Sequence, residues 1–127
     1  MGVRLMQHEK AALQIAHWLK ERAEVGLVLH PALSDCPGHE FWKRDFKGSS
    51  GLFTFELKDR DRASLVDKLE LFGIGFSWGG YESLALPVDP IRTVSQAPAE
   101  NLIRLHVGLE DPDDLIADLA NAFSQIA

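Results

Sequence analysis

Six residues near the end of the chain alternate strictly, with Leu102, Arg104 and His106 on one side and Ile103, Leu105 and Val107 on the other. A period of two marks a strand, and this strand has one wholly apolar side to bury. Gly108-Leu109-Glu110 follows, and then Asp111-Pro112-Asp113-Asp114 opens a helix. Asp111 is placed to cap it, Pro112 fits its first position, and Asp113 and Asp114 sit where the helix dipole favours anions. Any fold of this chain must therefore run a strand through a short turn into a helix. The strand's second side carries two polar heads, so it is not an ordinary core face. On pattern alone an arginine such as Arg104 is more often solvated or ion-paired than bound to a ligand.

The remaining elements can be placed around this unit. Leu5, Ala12, Ile15, Ala16, Leu19 and Ala23 form one stripe of an amphipathic helix over 3–22. It has no capping residue before Val3, as expected of a piece of a longer protein or of a tag boundary. Residues 25–29 read as a short strand, closed by His30-Pro31. A short helix is expected over 39–44, where Phe41, Trp42 and Phe46 would pin a loop to the core, with a partner surface as the alternative. Leu52 to Leu57 alternates again, with Phe53, Phe55 and Leu57 on one side. A helix over 62–71 presents Leu65, Val66, Leu69 and Phe72. The glycine-rich stretch 73–83 permits close backbone approach. Residues 84–86 form a short strand, and Pro87, Pro90 and Pro98 fall in a connection running to Asn101 over the surface. The last helix buries Leu115, Ile116, Leu119, Phe123 and Ile126. The expected fold is α/β (α+β type): a small, mainly antiparallel or mixed sheet of about four strands with helices packed on one face. No repeat is present.

At 127 residues the chain supports one core and one domain, 1–127. An apolar fraction of 46% argues against disorder, and a net charge of -6 leaves no basic surplus for nucleic acid. One cysteine excludes an internal disulfide framework. No apolar run approaches the roughly 18 residues of a membrane span. Gln7, His8, Glu9 and Lys10 interrupt any signal-peptide core. These features suggest a cytoplasmic protein with neither membrane nor nucleic-acid partners.

Chemistry-bearing patterns are few. His30, Cys36 and His39 match no familiar zinc spacing and lack a fourth ligand, so no metal is expected. His8 and His17 lie on opposite faces of a helix. Gly48-Ser49-Ser50-Gly51 precedes a strand rather than opening a helix, unlike a phosphate-binding loop. Ser77 lies outside any nucleophile elbow, and no acid is indicated to orient His106 behind it. Recognition of an anion remains. Arg104 offers a planar fork to a carboxylate, and Ser77 sits in a loop whose backbone can approach a ligand.

Several separated stretches carry a family resemblance in the same order. They are Gly38-His39-Glu40-Phe41-Trp42-Lys43-Arg44-Asp45-Phe46, Gly48-Ser49-Ser50-Gly51-Leu52-Phe53, Ser77-Trp78-Gly79-Gly80-Tyr81-Glu82-Ser83-Leu84, and Ile103-Arg104-Leu105-His106-Val107-Gly108-Leu109-Glu110-Asp111. Together they resemble the carboxy-terminal part of the cysteine and methionine metabolism family of fold-type I pyridoxal-phosphate enzymes. Trp78 and the Phe41-Trp42 segment tilt the resemblance towards the bacterial cystathionine beta-lyases, over the cystathionine gamma-synthases and methionine gamma-lyases.

The resemblance implies a homotetrameric parent whose subunits have a large cofactor domain and a small carboxy-terminal domain, this chain matching the small one. It implies that Arg104 binds the substrate α-carboxylate. Ser77 would orient both that carboxylate and the cofactor-bearing lysine, and so touch the cofactor indirectly. Trp78 would line the same pocket. The catalytic lysine and the other groups that hold pyridoxal 5'-phosphate belong to the large domain, which is absent here. Lys43, Lys47 and Lys68 lie in no matching context. The 87–101 connection is shorter than is usual for the lyase. The parent would cleave L-cystathionine to homocysteine, pyruvate and ammonia in methionine biosynthesis, whereas the 127-residue chain alone would bind no cofactor and be inactive. The alternatives are an independent amino-acid-binding module and a ligand-free oligomerisation module. An Arg104 paired with an internal acid, with no adjoining crevice, would favour the latter.

Overall fold

A computed structural model describes residues 2–94 and 99–126. The elements in order are α1 (Gly2–Lys20), β1 (Val25–Leu29), α2 (His39–Asp45), β2 (Leu52–Leu57), α3 (Arg62–Lys68), β3 (Gly73–Ile74), β4 (Leu84–Val88), β5 (Leu102–His106) and α4 (Pro112–Gln125). Five strands form one sheet in the order β1-β2-β5-β4-β3, antiparallel throughout except for the β3–β4 pair. The sheet is therefore mixed, with one strand more than expected. β5 lies at its centre, paired to β2 through Thr54↔Arg104 and to β4 through Leu86↔Arg104.

The alternation in β2 predicts its burial: Phe53, Phe55 and Leu57 are buried and the residues between them half-buried. Their apolar side meets Ala11, Ala12, Ile15, Ala16 and Leu19 of α1 and Leu115, Leu119, Ala122 and Phe123 of α4. Fully burying one such large side chain contributes about 1.5–3 kcal/mol, so this single apolar layer is the main source of stability. The Asp111 carboxylate accepts the Asp113 N–H at 2.9 Å, and Pro112 opens α4 as its sequence predicts.

Several expectations need correction. α1 stops at Lys20, two residues early, because the chain tightens there: the Glu21 and Arg22 N–H groups bond Trp18 and Leu19 carbonyls three residues back. Ala23 is exposed beyond it, and Leu5 is only half-buried. α3 also ends early, at Lys68, and the chain after it is tied down by a distant side chain. The buried Asp118 carboxylate on α4 accepts the N–H groups of Glu70 at 2.9 Å and Leu71 at 2.8 Å. β4 runs through Pro87 to Val88. β3 reaches only as far as Ala85, so Pro87 lies where β4 has no further neighbour on that side, and its missing N–H is tolerated. Pro98 of the same connection lies outside the described residues.

The aromatic residues of α2 do not pin it to the core. No residue of α2 is buried, and Phe41 and Phe46 are 56% and 64% exposed. Gly38, at φ 85°, turns the chain into a seven-residue helix that lies off the sheet. Trp42 is half-buried, its indole N–H donating to the Gly48 carbonyl at 3.0 Å.

Candidate functional site

The centre of the sheet and the glycine-rich loop after β3 come together around Arg104. On β5, Arg104 is half-buried on the side away from the core, and its guanidinium donates to the Phe76 carbonyl at 2.8 Å and stacks on the Phe76 ring at 5.6 Å. It makes no ion pair among the described residues. The next residues, Ser77 and Trp78, are both exposed. The three residues singled out from sequence are therefore neighbours: the arginine grips the carbonyl that immediately precedes the serine and tryptophan.

The loop's backbone is fixed on both sides of that pair. Arg4 of α1 donates to the Gly79 carbonyl at 3.2 Å. His8 Nε2 and His106 Nε2 both lie on the Gly80 carbonyl, at 3.1 and 3.3 Å. The Leu109 N–H donates to the Tyr81 carbonyl at 2.9 Å. Gly79, at φ 79°, takes the left-handed turn that lets successive carbonyls find different partners. Carbonyls 76, 79, 80 and 81 are thus all satisfied from the body of the domain, while the Ser77 hydroxyl has no partner among the described residues. A loop tied this closely presents its outward groups in one geometry, as recognition of a small ligand requires.

Two concavities meet at Trp78. The smaller, about 290 Å³, is lined by Ile74, Phe76, Ser77, Trp78, Tyr81 and His106 among others; Arg104 does not line it but bonds the carbonyl of Phe76, which does. The larger, about 950 Å³, is an apolar groove between the start of α1 and α2, bordered by Leu5, Met6, Phe41, Trp42, Phe46 and Trp78. Polar groups border both, Glu9, Lys47, Ser49 and Ser50 the larger and Ser77, Tyr81, Glu82 and His106 the smaller, and the smaller is the one walled by Phe76, whose carbonyl Arg104 holds. No lysine lines the small cavity, whereas Lys47 borders the larger groove.

His106 is buried, and burial is the main cause that holds its pKa below the ordinary histidine range, with Arg104 and His8 adding in the same direction. It shares the small cavity with Ser77, but its Nε2 is taken by the Gly80 carbonyl and it forms no serine–histidine pair. Its neighbour His8 is a residue that sequence reasoning missed. The signal was a histidine within the apolar stripe of α1, one turn before Ala12. His30, Cys36 and His39 do not converge: His30 Nδ1 accepts the Ala32 N–H at 3.1 Å, and His39 Nδ1 lies on the Pro31 carbonyl at 2.7 Å. Among the described residues no group of three or more His, Cys, Asp or Glu is arranged to hold a metal.

Comparison with known proteins gives this geometry a context. A family model described as Cys/Met metabolism PLP-dependent enzyme matches residues 1–124. "Cystathionine beta-lyase MetC" of Escherichia coli K12 is 50% identical over 136 residues, covering 99% of this chain and 34% of that protein. The "L-alanine/L-glutamate racemase" of Wolbachia pipientis wMel is 41% identical, covering 97% of this chain and 32% of that protein. The crystal structure of metB from Corynebacterium glutamicum superposes with a TM-score of 0.84 at 30% identity, covering 98% of this chain and 34% of that one. The chain spans about a third of the length of the curated relatives it matches.

Proposed function

Because this chain belongs to the Cys/Met metabolism PLP-dependent enzyme family, we propose that it is the carboxylate-holding part of a pyridoxal-phosphate-dependent carbon–sulfur lyase that cleaves L-cystathionine to homocysteine, pyruvate and ammonia. The observation that carries the reading is Arg104: a guanidinium at the sheet centre, with no carboxylate partner among the described residues, near the exposed Ser77. A substrate α-carboxylate would take the planar fork in a paired, charge-assisted arrangement, with the Ser77 hydroxyl as a further donor. Trp78 would close the pocket's outer side and exclude water. Held at one end, the substrate has its α C–H direction fixed, and such orientation lowers a barrier by several kcal/mol.

The electron sink for this chemistry is the cofactor's contribution. The described residues do not fit the cofactor on their own, since no lysine lines the cavity beside Ser77. The cofactor and its lysine then belong to the part of a relative-length protein that this chain does not match. That part would pack on the apolar face formed by Met6, Phe41, Phe46 and Trp78, all exposed here, within a homotetramer. The reading is of a cytoplasmic enzyme of methionine biosynthesis; among the described residues no helix is long and apolar enough to cross a membrane.

The racemase relative supports a second reading, in which the same carboxylate clamp serves proton exchange at Cα rather than C–S cleavage. Assay of the full-length protein distinguishes the two. Pyruvate release from L-cystathionine, without racemisation of alanine or glutamate, is the expected result. Racemisation without pyruvate would replace the lyase reading. The 127-residue chain alone is expected to release none.

A further inference from the structure

The histidine pair beneath the loop has no part in the proposed chemistry and is built with unusual economy. The His8 and His106 rings meet edge-on, with centroids 5.0 Å apart and planes at 84°. One comes from α1 and the other from β5, and both are buried. A carbonyl oxygen only accepts, so each ring that bonds Gly80 must carry its hydrogen on Nε2. In a neutral ring that leaves Nδ1 unprotonated, and neither Nδ1 has a partner among the described residues to receive a hydrogen. The remainder of the fold makes room for this arrangement. A Cβ at Gly51 would sit 3.1 Å from His106 Nδ1 and against the Val107 carbonyl, so a side chain there would displace the ring.

We propose that His8 and His106 are a neutral positioning pair: together they hold the Gly80 carbonyl, and so set the position from which Ser77 and Trp78 meet the substrate carboxylate. The inference rests on the carboxylate-holding reading of that loop. Among the described residues the Ser77 and Trp78 side chains have no hydrogen bonds of their own to fix them. Their placement comes from Arg104 on one side and from Arg4 and the two histidines on the other.

The surroundings keep the pair neutral. Arg4 faces His8 from α1, Arg104 faces His106 from β5, and Glu110 beyond β5 is the carboxylate that acts on His106. Tyr81 and Glu82 of the loop share its cavity. A proton added to either Nδ1 would place a cation in a buried site, against a second imidazole and near two guanidinium groups. Burial accordingly lowers the pKa of both rings.

Two measurements test the pair. Side-chain nitrogen NMR of the chain at pH 7.5 should show His8 and His106 both neutral with hydrogen on Nε2; a charged ring or an Nδ1–H tautomer at either position overturns the proposal. In the full-length, cofactor-loaded protein, His8→Leu and His106→Leu should each raise KM about fivefold with kcat nearly unchanged, as loss of one positioning hydrogen bond implies. His106→Gln keeps a donor and should restore most of KM. A Gln variant no better than Leu, or a lowered folding midpoint with unmoved KM, assigns the pair a purely structural role and contradicts the proposal. Failure of the carboxylate reading would instead appear in Arg104 variants, with the ring tautomers unchanged.

Discussion

Ser83 and Glu110 are joined by two hydrogen bonds: the Ser83 hydroxyl donates to Glu110 Oε2 at 2.6 Å, and the Ser83 N–H donates to Glu110 Oε1 at 3.1 Å. The same hydroxyl accepts the buried Gly108 N–H at 2.8 Å. One buried side chain thus ties the end of the loop bearing Ser77 to the turn that leads from β5 into α4.

Ser83→Ala should therefore cost about 1–3 kcal/mol, because it strands the Gly108 N–H and removes a charge-assisted bond at once. Urea unfolding of the variant measures it. A change within error would mean that water replaces the hydroxyl without loss.

Gly108 marks a second tight point. A Cβ there would lie 2.7 Å from the Glu82 carbonyl carbon and press on the Tyr81 carbonyl, both backbone atoms that cannot rotate away. Gly108→Ala should cost about 1–3 kcal/mol through overpacking and shift the loop. Amide chemical-shift changes centred on Tyr81 and Glu82 are expected, and their absence would show that the backbone yields freely.

Stability should fall as the solution is acidified from neutrality. Burial lowers the pKa of His30 to about 4 and also lowers those of His8 and His106. The unfolded chain takes up these protons near pH 6.5, whereas the folded chain resists them. The stabilisation is complete above about pH 6.5 and is lost progressively as pH falls towards the folded values. For His30 the shift corresponds to on the order of 3 kcal/mol. His30→Asn keeps an acceptor for the Ala32 N–H and cannot titrate, so it should flatten part of the slope between pH 7 and 4 in urea unfolding. An unchanged slope would remove His30 from the explanation.

The elements most readily read from sequence were those specified by local chemistry. β2 could be read because Phe53, Phe55 and Leu57 alternate with polar residues, and α4 because Asp111 and Pro112 mark its start. Interactions distant in sequence were not accessible in this way. Nothing near residues 69–72 announces that Asp118 will take their N–H groups. Pro87 reads as a breaker unless the open edge of β4 is known. Phe41 and Phe46 look like core residues by composition, but the described residues leave both largely exposed. Arg104, Ser77 and Trp78 could be named from their motifs, whereas His8 could not: its partners, Gly80 and His106, reach it only through the closed fold.

The carboxylate role of Arg104 is tested most directly by comparing amino-acid ligands with their amine analogues lacking the carboxylate, on the full-length protein and on Arg104→Ala. The substitution should weaken binding of the carboxylate ligand by roughly tenfold or more, the range for a charge-assisted bond, and leave the amine unaffected. Equal weakening of both ligands, or of neither, would contradict the assignment of Arg104 to the substrate carboxylate.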